Sequence, residues 1–465
     1  MAGPEAVVVV GGGVGGLTAA LALGRAGHAV SVLERDVLPP VADAEEAFRA
    51  ERRGAPQVHQ THGFLARMQV LLRQRFPDVL DDLVAAGATT MPTTAQLGEP
   101  QPGDEDLKVI IIRRTTLEWV LRRAALAAPG VTIRAGVGVR GLVGGGGAVT
   151  GVRLDDGSTF TGGIVVGATG RRGAVPAWLG DLGVDVPERI HESGLMYLSR
   201  WYRLPQGFDL RSLDPKLGGD LGFVKFLGVP GDGGTLSITL AIRPDDGELR
   251  AALSQPSGFE RACRLLPGPD QFFSGPELEP LGGVRPMGGL LNRLRRFVDD
   301  GGEPTVLGFH AIGDAHTCTN PLYGRGCSLA MVQAVLLADA VAAHPGDPVA
   351  RARAYEAGCA REVEPWFAAS VEMDRHGADP SGGVSDPASP MARLLAAAET
   401  DPVLGRGFAR LWNLMATPAE LAADPQYVAR AAHVLSHPDD HPIPPRAGPS
   451  REALLAALAE ETADV

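Results

Sequence analysis

The first thirty-four residues constrain the fold more than any other part of the chain. Ala6-Val-Val-Val-Val10 is an unbroken apolar, β-branched run, the pattern of a strand buried on both faces of a parallel sheet. It leads directly into Gly11-Gly-Gly13-Val14-Gly15-Gly16, which sets glycines in G-x-G-x-x-G spacing at 11, 13 and 16. Leu17 to Ala26 predicts a helix, Gly27-His28 ends it, and Ala29 to Leu33 predicts a second strand closing on Glu34. Each part has a task in holding an extended dinucleotide. Gly11 permits the tight turn, Gly13 lets the backbone approach a diphosphate, and Gly16 lets the helix pack on the strand. The amides at the helix start, at Val14 and Gly15, lie at the positive end of the helix dipole and suit an anion. Glu34 stands where an acid accepts hydrogen bonds from an adenosine ribose, with Arg35 next to it.

The sequence holds its own control. Gly136-Val-Gly138-Val-Arg-Gly141 has the same spacing, yet no helical pattern follows it. Turn signals follow instead, ending at Asp155-Asp-Gly157, so this stretch predicts a β-meander and one dinucleotide site in all.

A chain of 465 residues exceeds what one core supports, and 45% apolar with 21% charged residues is the balance of a globular protein. Net charge is −12, with the basic residues scattered, which speaks against a nucleic-acid partner. The four cysteines show no paired or metal-binding spacing, and Met1-Ala-Gly-Pro-Glu5 lacks a basic leader. No apolar stretch reaches the ~20 residues needed to span a bilayer, so no membrane anchor is expected. A cytoplasmic location is the expectation. His59 and His62 are spaced i,i+3 without a third ligand in reach, so no metal site is expected.

Three distant stretches decide which dinucleotide. Ile164 to Arg172 reads as a buried strand ending in Ala-Thr-Gly. Thr305 to Ile312 reads as another, running into Gly313-Asp314-Ala315. Asn320-Pro321-Leu-Tyr-Gly324-Arg325-Gly326 then opens an Ala/Leu/Val-rich helix, Ser328 to Ala343. In these residues the chain resembles the FAD-dependent monooxygenases of the p-hydroxybenzoate-hydroxylase fold, in particular their squalene-epoxidase-like and polyene-epoxidase-like branch. Their late motif, Gly-Asp-Ala followed by Pro-x-x-Gly-x-Gly, matches with Pro321 seven residues after Asp314. The resemblance implies FAD as cofactor, with Asp314 on the ribityl chain and Pro321 and Gly324 to Gly326, Arg325 included, along the flavin edge. Arg53-Gly-Ala-Pro56-Gln57-Val-His59-Gln60-Thr-His62 resembles a further family segment, departing from it at Gln60. Arg114-Thr-Thr-Leu-Glu-Trp-Val-Leu-Arg122 resembles the family's entry into a cofactor-contacting helix, so Arg53 and Arg114 are implied cofactor contacts. Many members carry an acid in the middle motif, where Gly167 stands here. Electrons from NADPH or NADH are therefore expected either directly or through a separate flavin reductase.

The resemblance spans nearly the whole chain. It implies an α/β (α+β overall) architecture: a Rossmann-like FAD-binding domain, an antiparallel-sheet substrate domain and a helical C-terminal tail. The FAD domain takes 1–85, 105–178 and 296–345, the substrate domain 86–104 and 179–295, and the tail 346–465. Within 190–290 three strands are predicted, Leu195–Leu204, Leu221–Val229 and Gly234–Arg243. Leu236, Ile238, Leu240 and Ile242 alternate with Ser237, Thr239 and Ala241, so one face is apolar. That sheet is expected over the flavin, with Met196, Tyr197, Trp201, Phe223 and Phe226 as the wall for an apolar small-molecule substrate. The implied activity is monooxygenation, hydroxylation or epoxidation in natural-product (secondary) metabolism, by a flavin C4a-hydroperoxide that needs no catalytic acid or base. A flavin-dependent halogenase shares the scaffold, but its Trp-x-Trp-x-Ile-Pro segment has no counterpart among the five tryptophans. A flavin reductase or desaturase and a non-catalytic flavin-binding module are the remaining alternatives.

Overall fold

The computed structural model describes residues 5–208, 210, 213, 217–275, 277–377, 390–445 and 447–459. Five parallel strands lie in the order Phe309–Ala311, Ile164–Gly167, Ala6–Val10, Ala29–Glu34, Val131–Ala135. The β-branched run at 6–10 is the central strand, with Val7, Val8 and Val9 at most 1% exposed. One sheet face is covered by the helices Val14–Arg25, Arg114–Ala127 and Gly326–Ala343, which share a core with Pro348–Glu362. The other is covered by the antiparallel strands Val139–Gly145, Ala148–Leu154 and Thr159–Thr161, whose Leu142, Val149 and Val152 pack on Val8 and Val165. The second glycine motif thus starts a meander, as its turn signals predict. Helix Gly326–Ala343 is long and apolar enough to cross a membrane, and 67% of its apolar window is buried in this core.

A second unit is built on an antiparallel sheet containing Met196–Arg203, Thr235–Ile242 and Val224–Gly231. Register sets Met196, Leu198 and Tyr202 on the same face as Leu236, Ile238, Leu240 and Ile242. Here the expectation of an apolar wall over the cofactor needs correction. That apolar face is covered by the helices Gly247–Leu253, Pro256–Leu265, Asp270–Phe273 and Arg451–Ala459, through Leu249, Phe259, Phe272 and Leu454. The face turned to the parallel-sheet unit is instead largely polar. Ser199 Oγ donates to Gln60 Oε1 at 2.6 Å, and the hydroxyls of Ser237 and Thr239 bond that of Thr61. Alternation reveals that a face is apolar; it does not say which layer covers it.

A buried ion pair ties the two units. Arg113 is 1% exposed and donates through Nε and Nη2 to Asp232 Oδ2 at 3.1 and 2.8 Å. Its backbone N–H also bonds Asp232 Oδ1, at 2.7 Å, so the turn between two strands of the second sheet is fixed to the start of helix Arg114–Ala127. In the C-terminal region, helices Pro390–Ala398, Pro402–Trp412 and Pro425–Ser436 enclose a small core of Ala397, Leu404 and Val434. Asn413 Oδ1 accepts from the Ala66 N–H at 3.0 Å, docking the tail on the first unit. The sequence predicts a loop at 378–390 and a short acidic segment at 451–462, of which 378–389 and 460–462 lie outside the described residues.

Candidate functional site

The turn after the central strand is as close as backbone allows. Gly11 has φ +110°, and a Cβ there would lie 2.4 Å from the Ala168 carbonyl oxygen; one at Gly16 would lie 1.9 Å from that of Gly11. Only glycine fits either place. Gly13 caps the first helix without a side-chain bond, and Val14, Gly15 and Gly16 open it. Glu34 accepts the N–H groups of Gly12 and Asp36, each at 2.8 Å, which fixes the carboxylate at the end of its strand.

Cations gather beside this turn. Arg52, buried, donates to Glu34, Asp36 and Glu118 at 3.1, 3.0 and 2.8 Å. Arg114 donates to Glu118 at 2.9 Å and to His62 Nε2 at 3.0 Å. Because arginine only donates, His62 Nε2 must accept, and its Nδ1–H donates to the Gln60 carbonyl at 2.9 Å. Burial and the Arg114 charge push the His62 pKa down to about 3. His62 is thus a neutral prop for Arg114. Of the expected contacts, Arg53 is exposed, and its neighbour Arg52 is the buried guanidinium. Arg35 is exposed as well and donates to the Gly54 carbonyl at 3.1 Å.

The late motif comes to the same place. A Cβ on Gly15 would lie 3.3 Å from that of Ala330 and 3.5 Å from Ile312 Cδ1, so the two glycine-started helices touch near their N-termini. The Asp314 carboxylate reaches the head of the late helix, with Oδ1 3.8 Å from where a Gly326 Cβ would stand. Burial raises the Asp314 pKa, against the pull of Arg114, Arg171 and Arg293. Pro321, exposed, starts a short turn of helix, Gly324 follows at φ +66°, and helix Gly326–Ala343 begins without a side-chain cap. The Arg325 side chain leaves this group. It is buried between the rings of Tyr323 and Trp366, 4.8 and 5.3 Å from their centroids, and burial pulls its pKa down to about 10.

In the middle motif, Gly167 is a sheet-interior residue whose Cβ would strike the Phe309 ring at 2.6 Å. An acid cannot stand there. The polar residue of that turn is Thr169, which follows the Ala168 carbonyl abutting Gly11 and whose Oγ1 is buried without a partner.

Of the expected substrate wall, Tyr197 and Trp201 lie on the face toward the first unit. Tyr197 donates to Asn320 Oδ1 at 3.0 Å and Trp201 Nε1 to the His59 carbonyl at 2.7 Å. Met196 and Phe226 lie in the helix-covered core, and Phe223 packs against it. Around Tyr197 the structure gathers residues the sequence did not single out: Ala241 and Leu290, with Leu195, Met287 and Leu322 against them. Arg52 and Glu118 were missed too, although Glu118 stands at i+4 from Arg114, the spacing of a helical ion pair.

These residues fit an extended FAD. Two helix N-termini free of side-chain caps, cations beside the glycine turn, a carboxylate at the strand end and a second at the late helix are the groups that such a cofactor needs. Beside Arg52 a narrow cleft runs past Leu38, Val41, Glu118 and Trp119, and the buried Thr115 Oγ1 and Arg122 Nε in its lining have no protein partner.

No family model matches the chain, and no curated protein matches it in sequence. Solved structures do match. The p-nitrophenol 4-monooxygenase PnpA from Pseudomonas putida DLL-E4 superposes with TM-score 0.62 at 19% identity, over 90% of this chain and 100% of that one. The brominase Bmp2, described as flavin-dependent, gives 0.59 at 16% identity, over 94% and 100%. PqsL from Pseudomonas aeruginosa, a probable FAD-dependent monooxygenase, gives 0.58 at 18% identity, over 80% and 95%. The fold of this chain is therefore the one found in FAD-dependent monooxygenases and in a flavin-dependent brominase.

Proposed function

We propose that the chain binds FAD in extended form and inserts one oxygen atom from O2 into a small apolar molecule, drawing electrons from NADPH or NADH. The observation that carries this reading is the convergence of the uncapped starts of helices Val14–Arg25 and Gly326–Ala343 with Arg114 and Asp314. Bound FAD, once reduced, supplies the activation of O2. The amides from Gly13 to Gly16, with Arg52 and Arg114, hold the diphosphate, Glu34 takes the adenosine ribose, and Asp314 accepts from the ribityl hydroxyls. The amides that open the late helix set a positive potential at the flavin pyrimidine edge. Tyr197, Ala241, Met287, Leu290 and Leu322 exclude water and hold the substrate carbon in place. No side chain is assigned as acid or base, in keeping with a neutral His62. With Thr169 at the middle turn, electron delivery by a separate flavin reductase is part of the proposal.

The experiment is a titration with FAD followed by turnover under isotopically heavy O2. A panel of p-nitrophenol, indole and an isoprenoid alkene is offered in the presence of bromide, with NADPH alone or with an added flavin reductase. Heavy oxygen in an organic product is the expected result. Brominated product would replace oxygenation by halogenation, and a protein that takes up no FAD would end the reading altogether.

A further inference from the structure

The loop Asn320–Gly326 is held from behind by one face of helix Glu364–Gly377. Trp366, Ser370, Met373 and Asp374 stand at the i, i+4, i+7, i+8 spacing of a single helical face. The Trp366 carbonyl, Ser370 Oγ and Met373 Sδ all accept from the Arg325 guanidinium. Asp374, buried, accepts from Tyr323 Oη at 2.6 Å and Asn320 Nδ2 at 2.8 Å on Oδ1, and from Asn292 Nδ2 at 2.6 Å on Oδ2.

The two amides cannot be turned over. The Asn320 backbone N–H donates to Asn292 Oδ1 at 2.8 Å, and the Leu322 N–H donates to Asn320 Oδ1 at 3.1 Å. A backbone N–H can only donate, so both amide oxygens are fixed and both NH2 groups must face Asp374. Asn320 Oδ1 also meets the Tyr197 hydroxyl at 3.0 Å, and an amide oxygen only accepts, so Tyr197 donates. Hydrogen bonds therefore run in one sense, from Tyr197 on the substrate sheet to Asn320 on the loop and on to Asp374. Tyr197, Asn292, Asn320, Tyr323 and Asp374 are all buried, where a bond pointing the wrong way is not made good by water.

We propose that Asp374 is a positioning residue for the cofactor: it fixes the sense of this chain, and so holds the 320–326 loop and the head of the late helix where Gly324 and Gly326 meet the flavin. The proposal rests on the FAD reading above. No motif marks Asp374, which lies beyond the last of them in the chain.

Asp374→Asn tests it with almost no change of shape. Whichever way the new amide turns, its NH2 group meets that of Asn292 or of Asn320. The double variant Asp374→Asn, Asn320→Asp moves the carboxylate one link along and restores the sense from Tyr197 to 374: the carboxylate, now at position 320, accepts from the Leu322 N–H, the Tyr197 hydroxyl and the new amide, while the Tyr323 hydroxyl turns to accept from that amide. FAD dissociation constants are measured by flavin fluorescence, well below the melting temperature of each apoprotein. The single variant is expected to bind FAD about tenfold more weakly and the double variant to recover most of that loss. A residue that merely stabilised the fold would lower the apoprotein melting temperature and leave the affinity of folded protein unchanged. Affinity within twofold of the parent in the single variant, or a double variant no tighter than the single, overturns the proposal. Should Asp374→Asn not fold, Tyr323→Phe removes one donor to Asp374 and keeps the ring; unchanged affinity there overturns the proposal equally. A parent protein that binds no FAD brings down the cofactor reading itself, whereas a parent that binds it beside indifferent variants brings down this proposal alone.

Discussion

At position 16 a methyl group would stand 1.9 Å from the Gly11 carbonyl oxygen, and backbone cannot yield there as a flexible side chain could. Gly16→Ala is expected to cost about 3 kcal/mol, the upper end for overpacking, seen as a lowered urea midpoint with unchanged slope. Arg114 gives a prediction of another kind. Arg114→Met keeps the length of the side chain and removes the charge, and FAD should then bind about ten- to a hundredfold more weakly by fluorescence titration. Glycines were legible at this scale because a turn that admits no Cβ dictates its residue. Arginines were less so. Arg52 and Arg53 are adjacent and chemically identical, and the turn of the chain that buries one and exposes the other depends on Glu34, Asp36 and Glu118, far away in sequence. Asp374 was invisible for the same reason, since its partners lie 51, 54 and 82 residues away.

Strands and helices were legible where one period dominated. The strands at 6–10 and 29–34 and the late helix stand where their apolar patterns put them. The second sheet shows the limit. Its alternation marked an apolar face, but helices between 247 and 273 cover that face, so Met196 and Phe226 of the expected wall lie beneath them while Tyr197 and Trp201 face the first unit. Much of what joins the sheet to the first unit is polar, with the Arg113–Asp232 pair its buried ionic part. Asp232→Ala leaves the Arg113 guanidinium buried with only the half-buried Glu45 carboxylate to answer it, at 2.7 Å. A loss of about 3–5 kcal/mol is expected in denaturant unfolding. Substituting Arg113→Met together with Asp232→Ala should return much of it; a double variant no more stable than the single would show that the loss does not come from an unpaired Arg113 charge.

Over the whole molecule, acidity acts in part through buried histidines, since burial lowers His59 as well as His62 and His310. Burial, aided by Arg114 at one site and Arg351 at the other, lowers both His62 and His310 to about 3 from the ordinary 6.5. Below pH 6.5 the unfolded chain therefore takes up protons that the folded chain refuses. Stability is full above that pH and falls as pH drops from 6.5 toward 3, by about 1.4 kcal/mol per pH unit for each histidine. Thermal melting between pH 7 and pH 5 measures this, and His310→Phe should make the slope shallower; an unaltered slope would mean that His310 takes up its proton in the folded state.

The parallel sheet carries one further consequence. Strands Ile164–Gly167 and Phe309–Ala311 are hydrogen-bonded neighbours, so the long excursion between them leaves and rejoins the sheet side by side. An insert with adjacent ends can be lengthened, trimmed or replaced over evolutionary time without moving the strands it springs from. Strand 6–10 and its glycine turn are left in place when the excursion changes, whereas Asn320 answers to the excursion through Tyr197 and Asn292. One architecture can then serve oxygenases and a brominase alike.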